Sequence, residues 1–169
     1  MTWVRSQPAS LESVARLEAM AGFKLPPAYL NHLRQVGGGE GELDVDPGWI
    51  QFWSAEEVVE LNGAYEVRQN IPGFFGFASN GGGELLAFDL REEGDPPVVM
   101  VPFIPMSVTE ARHVANTFEE LRGRLGDLNK SSGVGYMVFQ RSTILARSAR
   151  GMVAAERHDV MRTRRGSSW

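Results

Sequence analysis

The chain has 169 residues, 43% of them hydrophobic and 22% charged, with no cysteine and a formal net charge of −4. This describes one globular domain with room for an appendage, large enough to bury a core without staples. Disulfides and thiolate metal sites are excluded, no apolar run approaches the ~18 residues of a membrane span, and the first eight residues lack the apolar core of a signal peptide, so a cytoplasmic location is the default expectation.

Ser10 to Met20 reads as a helix, capped by Ser10, ended by Gly22, with Leu11, Val14, Ala15 and Leu17 near one face. Pro26 and Pro27 suit the start of a second helix, Ala28 to Val36, because a first turn needs no amide hydrogens. Its apolar stripe is Tyr29, Leu30, Leu33 and Val36, which leaves His32 on the polar face. The run Gly37 to Gly41 stops it. That run has neither a strand before it nor a helix opening directly after it, so it reads as a linker rather than a phosphate loop. Glu42 to Asp46 is an acidic loop. Trp49 to Trp53 follows as a strand of aromatic and β-branched residues.

Ser54-Ala-Glu-Glu57 is a capping box that opens a helix through Val58 and Leu61. Ile71-Pro-Gly73 then breaks the chain. Phe74 to Asp89 reads as two apolar strands joined by a turn at Gly81, Gly82 and Gly83, which take positive φ without a Cβ clash. Val98 to Phe103 is another strand, with Pro102 at its end or on an edge. Thr117-Phe-Glu-Glu120 is a second capping box, opening a last helix through Leu121 to Leu125 that stops at Gly126. The order predicts an α+β domain over residues 10–126, a central, largely antiparallel sheet flanked by helices with the hairpin 74–90 in its middle. Residues 127–169, rich in arginine and serine, read as a basic, mobile C-terminal extension.

The net charge hides an asymmetry. Residues 1–128 hold nine Lys and Arg against nineteen Asp and Glu, a net of −10, while residues 129–169 carry +6. An acidic body attracts basic partners and argues against duplex nucleic acid as its ligand.

Leu25-Pro-Pro-Ala-Tyr-Leu-Asn-His-Leu33, the glycine cluster, Ile50 to Val58, Phe75 to Asp89 and Ala115 to Leu121, in that order, resemble the SUKH superfamily, whose founding members are the Smi/Knr proteins of yeast cell-wall regulation. The resemblance covers roughly residues 10–126. On it, Leu25, Pro26, Tyr29, Leu33, Gly38, Gly39, Gly82, Gly83, Glu84 and Asp89 stand as family-motif, structural positions. Val36-Gly37 replaces the usual Asn-Gly after the second helix, and Pro102 to Arg112 departs from the family's pattern. The resemblance implies a non-enzymatic binding domain. Bacterial proteins of this kind are mainly immunity proteins that bind and neutralise toxin domains, often nucleases, of polymorphic toxin systems. A regulatory scaffold like the yeast relatives is the alternative.

No catalytic or cofactor motif occurs, and His32, His113 and His158 lack ligand spacing, so no cofactor, metal or small-molecule substrate is expected. Glu84 and Asp89 are the carboxylates a rival hydrolase reading would use. Their odd offset puts them on opposite strand faces, where Glu84 tidies the turn and Asp89 the strand exit. Trp49, Gln51 and Trp53 share a face, read first as sheet packed under a helix and second as an aromatic anchor for a partner. Glu40, Glu42, Asp44 and Asp46 read first as a solvated acidic loop and second as the first contact of a basic toxin. The candidate partner surface is therefore these four carboxylates with Trp49 and Trp53.

Overall fold

The computed structural model describes residues 3–126. Among them, seven strands form one antiparallel sheet whose order follows the chain. These are β1 (Val4–Arg5), β2 (Gly39–Glu42), β3 (Trp49–Phe52), β4 (Phe74–Ser79), β5 (Glu84–Asp89), β6 (Val98–Pro102) and β7 (Arg112–Ala115). Helices α1 (Leu11–Ala21) and α2 (Pro27–Gln35) are inserted between β1 and β2, and α3 (Ala55–Ala64) and α4 (Val67–Asn70) between β3 and β4. A 3-10 turn, Val108–Glu110, precedes β7, and α5 (Phe118–Gly123) follows it. The architecture is the expected α+β domain, with the hairpin of β4 and β5 central in the sheet. The segment expected to be a C-terminal extension lies outside the described residues.

All six residues of β4 are buried. A sheet wet on one face would expose alternate residues, so β4 must be covered on both. Phe77 meets Tyr29 of α2 at 5.5 Å between ring centroids. Its neighbour Gly76 faces the other way, where an added Cβ would lie 3.3 Å from Trp53 and 3.5 Å from Asn62 of α3. Alternation along the strand therefore sets α2 and α3 on opposite faces. Tyr29 is the hub of the first layer, 5.2 Å from both Phe88 and Phe118. Burying each such aromatic ring contributes about 1.5–3 kcal/mol.

The ladder between β4 and β5 shifts register between Gly76 and Ala78. Such a bulge leaves backbone groups without strand partners. Asn62 supplies them: its Nδ2 donates to the Gly76 carbonyl at 2.7 Å and its Oδ1 accepts from the Gly76 amide at 3.0 Å. One side chain thereby fastens α3 to the central strand.

Five local expectations need correction. The glycine run is not a linker: Gly39 to Glu42 is β2, paired with both β1 and β3. Its glycines are required by close approach, since a Cβ on Gly41 would enter the Trp3 ring and one on Gly39 would strike the Val4 carbonyl. β1 and β7 had no sequence signal, being two and four residues long. Leu11 stands 76% exposed, because α1 buries Val14, Leu17 and Ala21 instead. The box at Thr117 closes only on one side. The Thr117 hydroxyl accepts from the Glu120 amide, but Glu120 reaches back to the amide of Asn116, and the helix begins at Phe118 and ends by Gly123. The box at Ser54 closes on both sides.

The fifth correction is His32, which is fully buried rather than on a polar face. α5 packs against α2, and the imidazole lies 4.7 Å from the Phe52 ring and 5.6 Å from that of Phe118. Neither ring nitrogen has a hydrogen-bond partner. Burial, together with the charges of Arg122 and Arg5, lowers its pKa from 6.5 to about 4, so the ring is neutral at pH 7.

Candidate protein-binding face

Glu40 and Glu42 alternate with glycines along β2, which puts both carboxylates on one face of the sheet. Their cross-strand partners on β3 are Gln51 and Trp49. The turn that follows is held from two sides. The Leu43 amide donates to the Gly48 carbonyl at 3.1 Å, closing the turn on itself. The Asp44 amide donates to the Arg124 carbonyl at 2.8 Å, and the Gly126 amide to the Glu42 carbonyl at 2.9 Å, tying the turn to the chain after α5. Leu43 and Leu125 form a β-bridge there. Glu42, Asp44 and Asp46 are exposed on a backbone that is thus well fastened, and Glu40 is half-buried.

Asp46 reaches across to another strand. Arg112 of β7 bonds its carboxylate at 3.1 Å and ion-pairs with Glu84 as well. Both Arg112 and Asp46 are more than half exposed, so the pair adds little stability. Its effect is on position and charge: it draws Asp46 toward the β5 end and neutralises part of the acidic surface. Arg112 falls in the stretch where the sequence departs from the family's pattern, and nothing local to it pointed to Asp46.

Trp49 is half-buried, and its ring borders the glycine turn, with Cδ1 4.0 Å from where a Cβ of Gly81 would lie. Trp53 is 2% exposed and stacks on Tyr65 at 6.5 Å, which in turn stacks on Phe103 at 4.2 Å. It belongs under α3, so it leaves the candidate surface and Trp49 alone remains as an exposed aromatic. Gln51, between them, is 4% exposed with Nε2 unpartnered, while its Oε1 accepts a long 3.5 Å bond from the Ser79 hydroxyl.

The family-motif positions are structural in their surroundings. Leu25, Tyr29 and Leu33 lie in the core. Pro26 caps α2 and Pro27 opens it. Gly38 lies so close to the Phe52 carbonyl and Ser54 amide that an added Cβ would come within 2.8 and 2.9 Å of them. Gly39 carries φ 143° and Gly83 φ 110°, beyond what a side chain accepts, and Gly82 donates its amide to Asn80 Oδ1 at 2.8 Å. Glu84 accepts from Asn80 Nδ2 at 2.7 Å across the same turn. Asp89 takes Nε and Nη2 of Arg91 at 2.8 and 2.7 Å, and these bonds hold its carboxyl below the usual range. The two carboxylates sit at opposite ends of β5, roughly 17 Å apart at strand rise, each bound to a different arginine.

His113 is exposed on β7 whereas His32 is buried, and His158 lies outside the described residues. Among the described residues no helix is long and apolar enough to cross a membrane. No curated protein matches the chain. The model of the SMI1 / KNR4 family (SUKH-1) matches residues 8–123, which spans every helix and all but the first strand described above. The chain belongs to that family.

Proposed function

We propose that this chain is a non-catalytic protein-binding domain, an immunity protein that binds and neutralises a basic toxin domain. The observation that carries the reading is the acidic strand and turn from Glu40 to Asp46, held rigid on the rim of a family fold and bordered by half-exposed Trp49. Nuclease toxins must engage phosphates and therefore present basic surfaces. An acidic inhibitor covers such a surface and gains association rate from its long-range field. The body, with its net −10, supplies that field. Trp49 supplies an apolar anchor beside it. Catalysis by Glu84 and Asp89 is disfavoured by their separation and by the arginines that occupy them.

Charge reversal of Glu40, Glu42 and Asp44 tests the reading. Association with the cognate toxin, followed by stopped flow, should slow at least tenfold at low salt and much less at 0.5 M salt, where the Debye length falls to roughly 4 Å. Unchanged association kinetics would place the interface elsewhere. A gene for a large secreted protein with a C-terminal toxin domain beside this one separates immunity from the scaffold role.

A further inference from the structure

The acidic strand borders a neutral group that the charges do not explain. Val4, Glu40, Gln51 and Ser79 are successive cross-strand partners on β1, β2, β3 and β4, so their side chains form one row on one face of the sheet. On that same face Trp49, two residues before Gln51, stands half-buried at the rim, and Trp53, two residues after, is covered. Gln51 lies at the boundary between them and is 4% exposed. Its Oε1 is committed to the Ser79 hydroxyl, while its Nε2 has no partner. A buried N–H left unpaired costs free energy that a bound acceptor recovers. Glu40, next in the row, is half-buried, and its carboxylate makes no hydrogen bond or ion pair among the described residues. An unspent donor and an unspent anion therefore stand side by side.

We infer, resting on the acidic face as the partner surface proposed above, that this row reads an extended basic segment of the partner protein. Gln51 Nε2 donates to a main-chain carbonyl of that segment, and Glu40 pairs with the lysine or arginine beside it. The two unspent groups together select this occupant. A simple amine or guanidinium satisfies Glu40 but offers no acceptor to the Gln51 N–H. A neutral peptide offers the carbonyl and nothing to Glu40. A peptide unit with a basic side chain supplies both. Charge complementarity favours it as well, since Glu42 and Asp44 continue the acidic face. The Trp49 ring, at the edge of the glycine turn, packs on the stem or the cation of the basic side chain. Gln51 thereby sets specificity, where the carboxylates set the association rate.

The test follows the Gln51 side-chain amide signals of the full chain by NMR, with the peptide acetyl-Gly-Arg-Gly-Arg-Gly-amide as the probe. The same peptide with citrulline for arginine supplies carbonyls without charge, and butylguanidinium supplies charge without a carbonyl. The Gln51 signals should shift saturably with the arginine peptide, and each control should bind at least about fivefold more weakly, the usual worth of one hydrogen bond. Gln51→Met keeps the buried volume and removes the N–H. It should weaken the arginine peptide by about the same factor and leave the salt dependence of binding unchanged. Glu40→Gln should weaken binding and flatten its salt dependence. Should Gln51→Met fail to fold, the three probes on the parent chain decide. Butylguanidinium binding as tightly as the peptide, or a Gln51→Met variant that binds it unchanged, would overturn the inference. Slower toxin association on charge reversal of Glu40, Glu42 and Asp44 would then still leave the acidic face as the partner surface, by charge alone.

Discussion

His32 makes the stability of this fold depend on pH in a window where few other groups act. In the unfolded chain its imidazole takes up a proton near 6.5, whereas in the folded chain it resists until about 4. Above 6.5 both states are neutral and the residue adds no pH dependence. As pH falls from 6.5 to about 4, protons bind the unfolded state preferentially and stability is lost. At roughly 1.4 kcal/mol per pH unit, the whole window is worth about 3 kcal/mol. Glu56 and Asp89, whose carboxyls are held low chiefly by Ser13 and Arg91, start from 4.5 and 3.8, so their own losses begin lower down. The interval between pH 6.5 and 5 therefore isolates the histidine. His32→Leu removes the titrating group and its two unpartnered nitrogens while keeping an apolar side chain of similar size. At pH 7 the variant should be as stable as the parent or more so. Urea unfolding at half-unit steps should give a falling midpoint for the parent and a nearly flat one for the variant over that interval. Equal slopes, or an NMR titration of His32 near 6.5, would refute the buried, neutral placement.

Asn62→Ala removes the side-chain partner of both the Gly76 amide and the Gly76 carbonyl at the bulge. It should cost about 2–4 kcal/mol by urea unfolding, the cost of two buried groups left unsatisfied; a loss below 1 kcal/mol would show that water replaces the amide. Gly41→Ala drives a methyl into the Trp3 ring. It should release β1, seen as faster hydrogen exchange at the amide of Ser6, which donates to the Gly38 carbonyl at 3.1 Å, while the amides of β4 and β5 stay protected.

The elements legible in the sequence were those whose cause is local. The cap at Ser10, the two prolines before α2, the closed box at Ser54 and the glycine turn between β4 and β5 each act within about four residues, so composition and spacing suffice to place them. Their order along the chain carried the α+β class, and the family pattern, read across those same segments, carried the expectation of a binding domain. What tertiary structure decided is wherever a residue's role depends on a neighbour distant along the chain. Gly39 and Gly41 read as a helix stop until Trp3 and Val4 come alongside and make them a strand that tolerates no side chain. Trp49 and Trp53 look equivalent by alternation, but α3 covers one and leaves the other at the rim. Asp46 counts among four like carboxylates until Arg112, far along the chain, neutralises it. His32 looks like a surface residue because helical periodicity describes one helix at a time. Only the packing of α5 onto α2 encloses it, because burial is a property of the contact between elements and not of either alone.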